Sequence, residues 1–334
     1  MVSGGLVDAE YLGFDAALLR DAAARQDVLG IALFAATPPE FEDHEVPIAF
    51  VATPPLGPLP AVAEVWRAPG PFRFGQLGPV RYRSNHQLLF GCLSLRESAD
   101  LGIATARAYE YLFQCIDTVG FPHLLRVWNY LPEINSVTHG TERYRQFNAA
   151  RQQAFLASHR PTTGNVPAAC ALGSVSGSEL TVYFLSSQQP GLSLENPRQI
   201  AAYHYPPQYG AISPTFCRAT LVRSQPLLLV SGTASIVGHN TMHVGDVIEQ
   251  TRESVANIRA LAAEANSRCD TQPMVPERLL YKVYLRHAHH LAAVTQELRS
   301  LLGPHVSALF LQAEVCREQL LVEIEAVSRA QPSA

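Results

Sequence analysis

Near its C-terminus the chain reads Leu321-Val322-Glu323-Ile324-Glu325-Ala326, two carboxylates alternating with apolar residues. In a strand, that alternation puts Glu323 and Glu325 on one face and Val322 and Ile324 on the other. Two close carboxylates on a partly buried face repel, which raises the pKa of one of them. A carboxyl raised in this way can act as a general acid near neutral pH. The plainer alternative for the same pattern is an edge strand with a solvated acidic face.

The cationic groups are almost all arginine. Of 25 basic residues only Lys282 is lysine, and it lies inside the apolar run LLYKVYL. Schiff-base chemistry would therefore rest on that single side chain. Planar guanidinium forks suit carboxylates, but a codon bias toward Ala, Arg and Pro accounts for the composition as a whole. Only individually placed arginines can argue for a ligand. The run Arg286-His287-Ala288-His289-His290 invites a zinc reading. No acid or cysteine stands at ligand spacing beside it, so no metal is expected. Walker and dinucleotide glycine fingerprints are absent from the sequence, and SGTAS (231–235) is not one. No cofactor is expected.

Composition excludes several classes. A formal charge of −4 offers no basic field for nucleic acid or an anionic membrane. An apolar content of 47% excludes a disordered chain. The six cysteines (92, 115, 170, 217, 269, 316) are scattered without a C-x-x-C pair, as expected of reduced thiols. The N-terminal residues lack the basic and apolar regions of a secretory leader, and no apolar run approaches the roughly 18 residues of a membrane helix. A cytoplasmic protein follows as the expectation.

The elements that must hold these groups are clearest in the second half. A strand over 226–232 ends at Gly232, and Asp246 opens a helix whose Val247, Val255, Ile258 and Leu261 share one face. A strand over 279–285 follows, then a helix over 289–302 stopped by Gly303-Pro304, then strands over 307–315 and 320–327. With a lead-in strand over 217–222 the order is ββαβαββ. The first half repeats it more loosely: strand 87–95, helix 97–119, strand 123–130, helix 143–158, and closing strands 166–173 and 179–186. The offset of about 139 to 155 residues marks a domain duplication, because a solenoid repeats every 20–50 residues or so. The division falls in the polar stretch 188–197, giving domains 1–188 and 189–334. A stretch over 37–78 with nine prolines reads as irregular decoration of the first domain.

The second half resembles the YjgF/RidA family, through Tyr209-Gly210-Ala211-Ile212-Ser213-Pro214-Thr215, Ser231-Gly232, Gln250-Thr251, Asn257-Ile258 and the closing LVEIEA. That resemblance implies an α+β fold of two RidA/YjgF-like (chorismate-mutase-like) domains, each a mixed sheet with helices packed on one face. The first would be degenerate and carry the Pro-rich insertion; the second would carry the catalytic glutamate. RidA proteins are usually trimers with clefts between subunits, so a monomer or a homotrimer is implied here. Their imine deaminases clamp a carboxylate with an arginine where this chain has Val306. A deaminase reading loses its anchor.

Tandem halves together with RVWNYLPEIN (126–135), YRQFNAARQQAF (144–155), SPTFCRAT (213–220) and SGTAS (231–235) resemble the chorismatase family over most of residues 80–330. The resemblance implies that Glu323 protonates the enolpyruvyl ether of chorismate, releasing pyruvate and 3-hydroxybenzoate. It implies that Arg218 and Arg151 hold the substrate carboxylates, with Asn148 on the same helical face as Arg151. Tyr144 and Tyr203 would orient the ring hydroxyl, and Gly232, Thr233 and Cys316 would line the ring site. Glycine and cysteine at 232 and 316 resemble the 3-hydroxybenzoate-forming members; alanine there marks those that hydrolyse chorismate to a diene diol. Formation of both 3- and 4-hydroxybenzoate, that hydrolysis, and a non-catalytic RidA-like ligand-binding protein are the alternatives.

Overall fold

The computed structural model describes residues 7–14, 27–38, 45–96, 100–224, 227–269 and 273–329. Its first sheet has four strands, β1 (Asp8–Gly13), β2 (Val28–Ala35), β3 (Ile48–Ala52) and β4 (Ala61–Arg67), in the order β1-β4-β2-β3. The proline-rich stretch is therefore not irregular decoration. It carries β3, β4 and β5 (Arg73–Leu77), and its residues 39–44 lie outside the described ones. Pro47, Pro54, Pro55, Pro60 and Pro69 stand between strands, where a missing N–H interrupts no ladder.

The first repeat continues with β6 (Val80–Ser84), β7 (Leu88–Leu95), α1 (Leu101–Val119) and β8 (His123–Pro132). A short ribbon of β9 (Val137–Thr138) and β10 (Thr141–Glu142) leads into α2 (Arg143–Ala157), β11 (Ala168–Ser174) and β12 (Leu180–Ser187). The second repeat has β13 (Leu192–Leu194), β14 (Ala219–Val222) and β15 (Leu227–Ala234), then the ribbon β16 (Ile236–Val237) and β17 (Asn240–Thr241). It closes with α3 (Val247–Ser267), β18 (Leu280–Leu285), α4 (Leu291–Leu302), β19 (Ser307–Gln312) and β20 (Val322–Val327).

The sheet orders β11-β8-β12-β7-β6-β5 and β19-β18-β20-β15-β14-β13 correspond strand for strand. Each has one parallel pair, β8–β11 and β18–β19. The duplicated ββαβαββ unit is thus present twice, as an α+β arrangement. Helix starts follow local chemistry: the Asp246 carboxylate accepts from the N–H groups of Ile248 and Glu249 at 3.0 Å, and Asp100 caps α1 in the same way. The expected start of α1 at 97 lies outside the described residues, as does Pro226 before β15.

Helices cover one face of each large sheet. In β20, Val322, Ile324 and Ala326 face α3 and α4 and share their core with Tyr281, Val283 and Leu285 of β18. The opposite faces of both large sheets meet the N-terminal sheet in a separate core, with Phe34, Trp66, Phe90, Trp128, Tyr130, Tyr183 and Tyr284. Alternation turns Glu323 and Glu325 toward that inter-sheet side. β20 lies between β15 and β18, so the two glutamates stand on a central strand and not on a solvated edge.

Two further expectations are corrected. β15 does not end at Gly232; it bulges between Val230 and Thr233 and runs on to Ala234. The closing strands stop at Gln312 and restart at Val322, which leaves Cys316 in the connection between them. Among the described residues no helix is long and apolar enough to cross a membrane.

Candidate active site

A cavity of about 240 Å³ opens between the two repeats. Glu142, Tyr144 and Arg145 reach it from the first repeat, and Arg218, Gly232, Cys316, Arg317 and Glu323 from the second, with Tyr205, Tyr209 and Phe216 as its aromatic walls. Five of the residues singled out in the sequence therefore meet at one place: Glu323, Arg218, Gly232, Cys316 and Tyr144.

Glu323 is buried, opposite Ala234 on one neighbouring strand and Tyr284 on the other. Burial, and after it the charge of Glu325, raise its carboxyl to about 8, against the weaker pull of Arg126 and Arg218. Glu325 goes the other way. Burial alone would raise it, but Arg126 and Lys282, with hydrogen bonds from Cys170 and Trp128, outweigh burial and hold it below the usual carboxylate range. Its oxygens lie 3.0 Å from Arg126 Nη2 and 3.6 Å from Lys282 Nζ, and Trp128 Nε1 donates to it at 2.8 Å. Two glutamates two residues apart thus differ in protonation state at neutral pH, one an acid and one a carboxylate.

Two guanidinium groups flank the acid with donors to spare. Arg218 precedes β14, and its carbonyl accepts from Ser231 N–H. Its Nη2 donates to Ile200 O at 2.8 Å and to the Tyr205 hydroxyl at 2.7 Å, while Nε is buried without a partner. Arg317 donates from Nη1 to His239 O at 2.9 Å and to Thr241 Oγ1 at 3.1 Å. Its guanidinium lies 3.9 Å from the centre of the Tyr209 ring, and Nη2 is buried without a partner. Buried donors left unpaired beside a cavity suit an anionic ligand.

Gly232 sits at the β15 bulge, where a Cβ would land on Oε1 of Glu323 and stand 3.2 Å from Cys170 Cβ. A side chain there would collide with the acid before it met any ligand. Burial and Glu323 push the Cys316 thiol up to about 12, so it is neutral. Tyr144, raised well above its ordinary value chiefly by burial, accepts a hydrogen bond from Asn148 one turn along α2.

The other candidates stand apart from the cavity. Arg151 is two turns beyond Tyr144, about 10 Å along the helix, buried over the rings of Tyr109 and Phe155 at 5.2 and 5.4 Å. Tyr203 packs beside Val166, Ala168 and Cys217, and next to Glu195. Thr233 is buried and donates to Ser231 O at 2.8 Å. Arg317 and Tyr205 escaped the reading of the sequence, and Tyr209 entered it only within the YjgF/RidA-like segment 209–215, with no role in the site. They lie in connections without periodicity, and Arg317 could have been suspected only from its place beside Cys316.

Residues 64–186 match the family model described as chorismatase FkbO/Hyg5-like, N-terminal. The chain is similar to a 3-hydroxybenzoate synthase of Streptomyces hygroscopicus, at 33% identity over 277 residues, 79% of this chain and 81% of that protein. A chorismatase of Streptomyces rapamycinicus is 35% identical over 275 residues, with the same shares of the two chains. A chorismatase crystal structure superposes with a TM-score of 0.87 at 29% identity, covering 98% of this chain and 100% of that one.

Proposed function

The chain belongs to the chorismatase family, and we propose that its inter-repeat cavity binds chorismate and converts it to 3-hydroxybenzoate and pyruvate. The observation that carries the site assignment is a protonated Glu323 in a cavity where Arg218 and Arg317 each keep a buried N–H unpaired. Chorismate is a dianion, so two cations beside one acid match its charge. Arg218 and Arg317 take the two carboxylates in this reading, and Arg151 supports α2 from behind.

Glu323 gives its proton to the terminal methylene of the enolpyruvyl ether, which becomes an oxocarbenium ion. The C4 hydroxyl oxygen then closes onto C3 as the C3–O bond to pyruvate breaks, its proton returning to Glu323. The resulting arene oxide opens at C4 and isomerises to 3-hydroxybenzoate, so the proton count closes and no net water is consumed. Tyr144 and Tyr205 orient the ring, with Gly232 and Cys316 as its near wall. The narrow contact of Gly232 with Glu323 favours aromatisation over capture by water, because it leaves no space between the acid and the strand.

Incubation with chorismate, followed by chromatography for 3-hydroxybenzoate, 4-hydroxybenzoate, the diene diol and pyruvate, tests the reading. Pyruvate and 3-hydroxybenzoate in equal amounts are expected. Binding of chorismate without turnover would make the chain a ligand-binding relative instead.

A further inference from the structure

The sole lysine of the chain takes no part in the reaction above, yet it stands where three sheets meet. Lys282 Nζ, on β18, lies 2.9 Å from Glu64 Oε2 on β4 of the N-terminal sheet and 2.9 Å from the Tyr183 hydroxyl on β12. It also lies 3.6 Å from Glu325, whose other oxygen pairs with Arg126 of β8 at 3.0 Å. Lys282, Glu64, Arg126 and Glu325 are all at most 5% exposed. The network therefore holds two cations and two anions, with no net charge. Buried ion networks rarely add net stability over apolar packing of the same volume, so another role is called for.

Glu323 is the fifth ionisable group, two residues from Glu325 on the same face of β20. The tyrosines that face this network, Tyr11, Tyr130, Tyr183 and Tyr284, are all raised by burial and stay neutral, as does Cys170. On the cavity side Cys316 and Tyr144 are likewise neutral, Arg218 pulls on Glu323, and Arg145, Arg317, Glu142 and Glu318 are the other charged residues of the lining. Charge beside Glu323 is thus set by the network and by these cavity residues. We propose that Glu64 and Lys282 are positioning residues for Glu323: Lys282 helps hold Glu325 as a carboxylate, and Glu64 offsets the charge of Lys282, so that the network stays neutral and the proton stays on Glu323. The N-terminal sheet then contributes to acid catalysis although none of its residues lines the cavity. This inference rests on Glu323 being the acid.

The test is the pH dependence of kcat/KM for chorismate in a charge series. Glu64→Gln leaves the network with one excess positive charge, so the basic limb should move to lower pH by on the order of one unit. Glu64→Gln combined with Lys282→Met restores neutrality, and the limb should return to its parental place. A purely structural pair would leave all three limbs together, and that result, in folded and active proteins, overturns the proposal. Should Glu64→Gln not fold, Glu325→Gln reads the same effect at closer range. Its limb should fall further, and an unmoved limb there also overturns the proposal. Failure of the acid reading looks different, because Glu323→Gln would then keep turning over chorismate.

Discussion

The backbone of Gly232 leaves room for only a hydrogen beside Glu323, because a Cβ at that position would land on Oε1 of the carboxyl. The bulge in β15 brings the two together, and it shifts the register between Val230 and Thr233 so that Ala234 pairs with Glu323. In the proposed reaction, product choice and acid position are therefore coupled through one contact.

Gly232→Ala is accordingly expected to displace the acid and lower turnover. Combined with Cys316→Ala, it should move output from hydroxybenzoate toward the diene diol. Partition between aromatisation and water capture turns on about 1–2 kcal/mol, and roughly 1.4 kcal/mol changes a ratio tenfold. Chromatography of products in oxygen-18 water reads the outcome, with a control for exchange at the pyruvate ketone. An unchanged ratio in an active double variant would remove both positions from steering.

Glu323→Gln keeps the shape and removes the proton donor. Turnover should fall roughly 10²–10⁴-fold, the usual contribution of general acid–base catalysis, with the fold retained and the melting temperature not lowered at pH 7. Turnover near the parental value in a folded variant would assign the proton to another group.

The same carboxyl predicts two pH effects. The rate should fall as pH rises through about 8, where burial and Glu325 place its titration and where the acid loses its proton. The folded pKa lies above the ordinary 4.5, so the stability that the bound proton contributes is fully present below about pH 4.5 and is lost as pH rises to about 8. Glu323→Gln should flatten the decline in melting temperature across that window; an equally steep decline in the variant would show that another group titrates there.

Arg218→Ala and Arg317→Gln should each raise KM for chorismate about 10- to 150-fold, the loss of one charge-assisted contact worth roughly 1.5–3 kcal/mol. Arg151→Ala should behave otherwise. It removes packing over Tyr109 and Phe155 and is expected to lower the melting temperature with little change in KM. Parallel KM and melting measurements on the three variants separate the roles, and a KM effect confined to Arg151→Ala would move the carboxylate site to α2.

Glu323 was legible from its alternation with apolar residues, and Arg218, Gly232, Cys316 and Tyr144 only through the resemblance of their blocks to the chorismatase family. The ββαβαββ order was legible too, since apolar periodicity reports which face of a helix or strand is buried. The four-stranded N-terminal sheet was not, because prolines between short strands look from the sequence like prolines within a loop.

Alternation along 322–327 by itself determined that Glu323 and Glu325 share a face, for the side-chain period of a strand is two whatever surrounds it. It could not say which of them keeps its proton. That depends on Arg126, Trp128 and Lys282, between 43 and 199 residues away along the chain, which pair with or donate to Glu325 directly. The placements of Arg317 and Arg151 belong to the same class of fact. Whether a guanidinium opens onto a cavity or lies over two aromatic rings is decided by what packs against it, and electrostatic energy depends on distance through the folded protein, not on separation in sequence.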